Sequence, residues 1–276
     1  MATRKLMRKK GANEHNISSE TATLLRFLRS IIVLPFNTIM YISGKKRLRD
    51  LTEPLEIIRV FLTEARFTML MFTLNVTIFF LSAFFPQELI YMLGVSPLNL
   101  IKGRFYTLIT AGFLHADIFH LVGNMTFLLI FGRVVERKMG HGKTAVIYFG
   151  ALALSSLISS IIYLVVGKNV LGIGASGALM GLVASAMLLD PLYLTYFFII
   201  PMPIMFVGWM ALYGDIIGIL TPIETNIGHL AHLAGFFSVS MIIYFFKETD
   251  KNIMRRGLII NLISLAVATI LFTVMR

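Results

Sequence analysis

Long apolar runs separated by short gaps that carry the charges make up most of this chain. A helix needs about 20 residues to cross the hydrocarbon of a bilayer. Seven windows near that length are bounded by charges, Gly or Pro, at residues 67–85, 119–135, 145–166, 175–189, 193–213, 227–246 and 258–275. The pattern predicts an all-α polytopic membrane protein. The second and fourth windows are short and hold polar and small residues, which predicts spans surrounded by other helices rather than by lipid. Ahead of them, residues 1–20 are polar, and residues 31–42 are apolar but contain Pro35 and Asn37. Flanked by Arg26, Arg29, Lys45, Lys46, Arg47 and Arg49, that short run reads as an interfacial segment. From Thr52, the residues Leu55, Ile58, Phe61, Leu62 and Ala65 share one helical stripe, with Glu56, Arg59 and Glu64 off it, which predicts an amphipathic lead-in helix. The expected organisation is a basic, cytoplasmic or interfacial extension over 1–66, a six-helix core over 67–246, and a cytoplasmic loop with a seventh helix over 247–276.

Composition agrees with the pattern. Hydrophobic residues make up 57% of the 276 positions and charged residues 14%, against about 45–50% and about 25% in soluble domains. The chain has no Cys, which excludes a disulfide framework, a thiolate zinc site and a cysteine nucleophile. Net charge is +11, and 13 of the 25 Lys and Arg residues precede Phe67. In a chain this apolar, that excess reads as cations held on the cytoplasmic side near anionic lipid, and no nucleic-acid partner is expected. With the N-terminus inside, the inner loops carry Arg133, Arg137, Lys138, Lys143, Lys247, Lys251, Arg255 and Arg256, and the outer loops only Lys102, Arg104 and Lys168. This asymmetry places Arg276 outside and makes the connection 86–114 external. The absence of an obvious internal repeat lowers the standing of an inverted-repeat transporter.

The unusual chemistry lies in the second, fourth and sixth windows. His120 and Asn124 stand four residues apart, so both project from one helix face about 6 Å apart along its axis. They read either as an interhelical hydrogen-bonding pair or as two donors aimed at an oxyanion. The fourth window opens on G-I-G-A-S-G-A-L-M-G at 172–181, with Ser176 at a loop-to-helix junction. Such a serine is an N-cap or a nucleophile whose own N–H and helix dipole face developing negative charge. Gly177, Gly181 and Ser185 form a small stripe matching the face of the sixth window that holds Gly228, Ala231, His232 and Gly235. Packing the two stripes brings His232 toward Ser176, a nucleophile with its base. A metal site built from His115, His120, His229 and His232 is a competing reading; it lacks H-E-x-x-H and has only Asp117 as a nearby carboxylate.

Over roughly residues 67–246 these elements together resemble the rhomboid intramembrane serine proteases. The resemblance rests on H-x-x-x-N at His120 and Asn124, G-x-S-G at 174–177, A-H-x-x-G at 231–235 and E-R-K-M-G at 136–140, in matching order and spacing. It implies a six-helix rhomboid-like core plus one C-terminal transmembrane helix, and an endopeptidase that cuts transmembrane segments of other proteins near the extracytoplasmic face. By it Ser176 is the nucleophile and His232 the general base, a dyad without a carboxylate. His120, Asn124 and the Ser176 backbone N–H form the oxyanion hole, while His115, Gly174 and Gly177 line the site. No metal or cofactor is implied; the expected partners are the bilayer and membrane-protein substrates, and the expected location is the cell membrane. The chain departs from many members in carrying Tyr106-Thr107 in place of Trp-Arg in the first external loop, and Met180 where some place an aromatic against the catalytic histidine. The alternative is a catalytically silent relative that binds membrane proteins.

The charge asymmetry generates a topological prediction. A reporter fused after Arg276 is expected to read out on the side opposite the N-terminus; readout on the same side overturns the assignment of either the seventh window or the 31–42 segment.

Overall fold

The computed structural model describes residues 33–45, 47, 52, 63–197, 200–221 and 228–274. They belong to two compact units, Met1–Glu64 and Ala65–Arg276. In the first, helix α1 (Leu34–Ile42) covers most of the segment read as interfacial and has Pro35 in its first turn, where proline's missing N–H costs nothing. Most of the lead-in helix expected from Thr52 lies outside the described residues.

The second unit is helical except for one hairpin. Helix α2 (Arg66–Ser82) leads to a connection holding three short helices, α3 (Gln87–Leu93), α4 (Pro97–Ile101) and α5 (Thr107–Thr110). Then come α6 (Ile118–Met139), which includes a π-helical turn at Leu128–Gly132, α7 (His141–Val165) and α8 (Ser176–Leu189). Strands β1 (Leu194–Phe197) and β2 (Ile200–Pro203) pair antiparallel and lead into α9 (Ile204–Leu220), α10 (His229–Ile243) and α11 (Glu248–Val274). Of these helices, α6, α7 and α11 are long and apolar enough to cross a membrane, while α2, α8, α9 and α10 are shorter apolar helices. Each of the seven overlaps one of the seven windows, and the protein is an all-α integral membrane protein.

Differences from the expected boundaries have local causes. The fifth window begins at Tyr193, but its helix starts only at Ile204, because Pro201 and Pro203 cannot donate within a helix interior and occupy the hairpin instead. The second window was closed at Val135 by the charges that follow, yet α6 runs on to Met139. Its Glu136 is buried, at 2% exposure, because its carboxylate accepts from the backbone N–H of Phe67 (2.7 Å) and Thr68 (2.9 Å), from the Thr68 hydroxyl (2.7 Å) and from the His141 ring. Those amides are unpaired donors at the start of α2, and the positive end of its dipole favours the anion.

Helix α8 is the centre of the unit. Every residue from Gly177 to Met187 is buried, surrounded by α6, α7, α9, α10 and α11. That matches the expectation for the fourth window. It does not set the second apart: α6 is no more buried than α7, 44% of the apolar stretch in each case. Helix α11 leaves most of its apolar surface open and meets α8 through Gly257 and Asn261. A Cβ at Gly257 would lie 1.8 Å from the Leu188 carbonyl oxygen, and the Asn261 amide donates to Met187 O at 2.8 Å.

Because Glu136 joins α6 to the start of α2 through charge-assisted bonds, Glu136→Ala is expected to lower stability by about 2–3 kcal/mol. A thermal unfolding midpoint within a degree of the wild type overturns that role.

Candidate active site

The connection 86–114 folds against the segment that leads into α8. Val95 and Gly172 exchange backbone hydrogen bonds (3.0 and 2.7 Å), and Gly174 N–H donates to Ala111 O at 2.8 Å. The connection has its own polar framework. Asn99 donates to Tyr91 O and Gly94 O, the Arg104 guanidinium donates to Asn99 Oδ1 at 3.1 Å, and Thr107 is fully buried. The Tyr106-Thr107 pair therefore sits in an ordered loop.

Held in this way, Gly174 has φ +117°, a conformation open to glycine and poor for other residues. A Cβ there would lie 2.7 Å from His120 Nε2 and 3.5 Å from Asn124 Nδ2, so His120 and Asn124 pack directly on the backbone two residues before Ser176. Ser176 is the first residue of α8 and half-buried.

Helix α6 positions the two donors. Asp117 caps it by accepting from His120 N–H at 2.8 Å. His120 Nδ1 accepts from Ala116 N–H at 3.4 Å, which leaves the ring proton on Nε2, the atom that faces Gly174. The Asn124 amide donates to His115 Nε2 at 2.9 Å. His115 is 7% exposed; burial, with His120 beside it, pushes its pKa down to about 4. It is therefore neutral near pH 7 and can accept the Asn124 bond.

The small stripes on α8 and α10 do pack together. A Cβ at Gly235 would lie 2.2 Å from the Gly177 carbonyl oxygen, and one at Gly181 would lie 3.6 Å from Gly235 O and 3.7 Å from Val239. Contacts advance in the same direction along both helices, so α8 and α10 run parallel and begin at the same end of the bundle. The same positions, Gly177 and Gly181, also leave no room for a Cβ against Ser155 and Ala151 of α7. Ser176 and His232 thus start neighbouring helices, although among the described residues no hydrogen bond joins them.

One buried charged group beside His232 is absent from the residues that the sequence singled out. Asp215, on α9, accepts from Nδ1 of both His229 and His232 on the same oxygen, Oδ1, each at 2.8 Å. The fifth window ended at Tyr213, two residues short of it, and the missed signal was a lone charge inside the apolar run Ile204–Leu220. This contact departs from the expectation of a dyad without a carboxylate. It also divides the four-histidine metal reading: His115 and His120 pair edge-on, with ring centroids 5.1 Å apart, while His229 and His232 turn to Asp215. Among the described residues, Asp215, His229 and His232 form the only cluster of three such donors able to approach one ion, their ligand atoms lying within 4.8 Å of one another.

Residues 102–249, just over half of the chain, match the family model of the Rhomboid domain. The chain belongs to the rhomboid family. Relatives of this rhomboid protein include, from Arabidopsis thaliana, RHOMBOID-like protein 12, mitochondrial, 35% identical over 50% of this chain and 45% of the relative. Rhomboid-like protein 11, chloroplastic, is 39% identical over 30% and 29%, and Rhomboid-like protein 16, chloroplastic, is 34% identical over 48% and 46%. The rhomboid chain thus spans less than half the length of each of these relatives.

The lowered pKa of His115 predicts how stability varies with pH. Between about pH 6.5 and 4 the unfolded chain binds a proton at His115 that the folded chain does not, so this contribution is complete above pH 6.5 and is lost as pH falls toward 4, up to about 3 kcal/mol. His115→Gln removes the titration and is expected to flatten the fall of the unfolding midpoint in that window; an unchanged slope overturns the assignment.

Proposed function

We propose that this rhomboid protein is an intramembrane serine endopeptidase that cleaves transmembrane segments of other membrane proteins near the extracytoplasmic face. Ser176 is the nucleophile, His232 the general base, and His120, Asn124 and the Ser176 N–H the oxyanion donors. The observation that carries this reading is the convergence on one short backbone stretch: His120 Nε2 and Asn124 Nδ2 pack on Gly174, and Ala231 and Gly235, which flank His232, pack on Gly177. Ser176 lies between.

In the proposed reaction His232 takes the Ser176 proton as Oγ attacks the scissile carbonyl. The resulting oxyanion is met by N–H groups already in place and by the positive end of the α8 dipole. His232 then returns the proton to the leaving amine, and water hydrolyses the acyl-enzyme by the same route. Burial around α8 keeps these donors in a low-dielectric setting where each counts for more than in water. His115 supports the site indirectly by holding the Asn124 amide, and Gly174 and Gly177 line it because any side chain there would displace His120 or Ser155.

The finer location and division of the chain are also proposals. Lys and Arg asymmetry supports a cytoplasmic N-terminus, an extracytoplasmic C-terminus and a basic extension over 1–66 outside the six-helix core. The cell membrane is the proposed site; relatives named for mitochondria and chloroplasts make an organellar membrane the other outcome of a localisation experiment. Absence of a Ser176–His232 hydrogen bond favours a second reading, a silent relative that binds membrane proteins without cutting them. Catalytic hydrogen bonds, however, often tighten only once substrate is bound.

Ser176→Ala separates the two. The purified wild type is expected to cut a reporter transmembrane segment and to react with a fluorophosphonate, and the variant to do neither, with an unfolding midpoint nearly unchanged because one hydroxyl is lost. Equal cleavage or labelling by both proteins overturns the assignment of Ser176. No cleavage by the wild type, with binding retained, establishes the silent relative.

A further inference from the structure

We infer that Asp215 is a positioning residue that converts the Ser176–His232 pair into a Ser-His-Asp arrangement, an inference that rests on the serine-protease reading above. Asp215 is the single charged residue of α9 and is 5% exposed. A carboxylate in such surroundings is costly unless donors meet it, and here two imidazole N–H groups do so on one oxygen.

The consequence for His232 follows from proton accounting. An ionised carboxylate only accepts hydrogen bonds, so His232 Nδ1 must carry the ring proton. That leaves the lone pair on Nε2, the nitrogen available to accept the Ser176 proton. When His232 becomes imidazolium during attack, Asp215 already lies 2.8 Å away to stabilise it. No proton passes to Asp215.

His229 fixes the carboxylate in turn. Its ring lies on α9 one turn beyond Asp215, where a Cβ at Gly218 would come within 2.3 Å of His229 Nε2. The absence of a side chain at Gly218 is what lets the ring come close enough to α9 to donate to Asp215 Oδ1.

The test uses the 276-residue protein in detergent, with active sites counted by fluorophosphonate titration and turnover of a reporter transmembrane substrate expressed per titrated site. Asp215→Asn is expected to lower kcat per site on the order of 10²–10⁴-fold, the scale of losing the carboxylate in such an arrangement. KM should stay within about two-fold, since the contact acts in the transition state. Asp215→Glu is expected to restore part of the loss. If Asp215→Asn instead keeps kcat per site within about three-fold and lowers only the unfolding midpoint, Asp215 is a clasp between α9 and α10 and the inference fails.

A second measurement needs no change at Asp215 and covers the case in which that variant does not accumulate. In ¹⁵N-histidine-labelled protein, with His232 assigned by its loss in His232→Gln, a ring protonated on Nδ1 supports the inference and one protonated on Nε2 overturns it. Loss of wild-type activity on adding EDTA, regained with zinc, also overturns it, because the cluster then holds a metal in place of the two protons. Failure of the underlying reading shows elsewhere: cleavage by Ser176→Ala removes the serine mechanism whatever Asp215 does.

Discussion

Backbone contact between α8 and α10 is the constraint on which the site depends. Gly235 meets the Gly177 carbonyl at a distance that no side chain permits, and Gly177 and Gly181 are equally closed on the α7 side by Ser155 and Ala151. In a bilayer there is little hydrophobic gain in bringing helices together, so association relies on van der Waals contact over smooth, small-residue surfaces. That packing fixes the parallel register of α8 and α10 and brings Ser176 and His232 to one end of the bundle. A helix buried all round, as α8 is, also cannot tilt without moving five neighbours.

Polar groups buried in this framework serve as joints. Glu136 ties α6 to the start of α2, Asn261 ties α11 to the end of α8, and Asp215 ties α9 to α10 through two histidines. In each case a group that would be expensive alone is matched to donors or acceptors a neighbouring helix cannot satisfy for itself, such as the first amides of α2 or the last carbonyls of α8. The charged and amide groups thus set register between helices that apolar surfaces alone would leave free to slide.

Around the candidate site the same logic fixes protonation. Ala116 N–H turns His120 so that Nε2 carries its proton toward Gly174, Asn124 holds a neutral His115, and Asp215 holds the Nδ1 protons of His229 and His232. His120 thus carries its ring proton on Nε2, whereas His115, His229 and His232 carry theirs on Nδ1, and each assignment traces to one hydrogen bond.

Much of this was legible in the sequence. Hydropathy alone located seven apolar helices, since backbone polar groups in lipid must be satisfied within a helix and the apolar runs this requires are visible in one dimension. Local spacing likewise exposed the His120–Asn124 face, the glycines around Ser176 and the small stripes on α8 and α10, because helical periodicity maps sequence separation onto a face. What the sequence could not express was which distant groups meet. Glu136 looked like the end of a span until its carboxylate was seen on the amides at 67 and 68, and Asp215 looked like a charge beyond a span until two histidines from the next helix were found on it. The hairpin at 194–203 displaced the start of the fifth helix by eleven residues for a reason that was present in Pro201 and Pro203 but outweighed by hydropathy. Composition and periodicity report what each segment does with its own neighbours in the chain; the partners of a buried charge come from other helices, and only the packed bundle selects them.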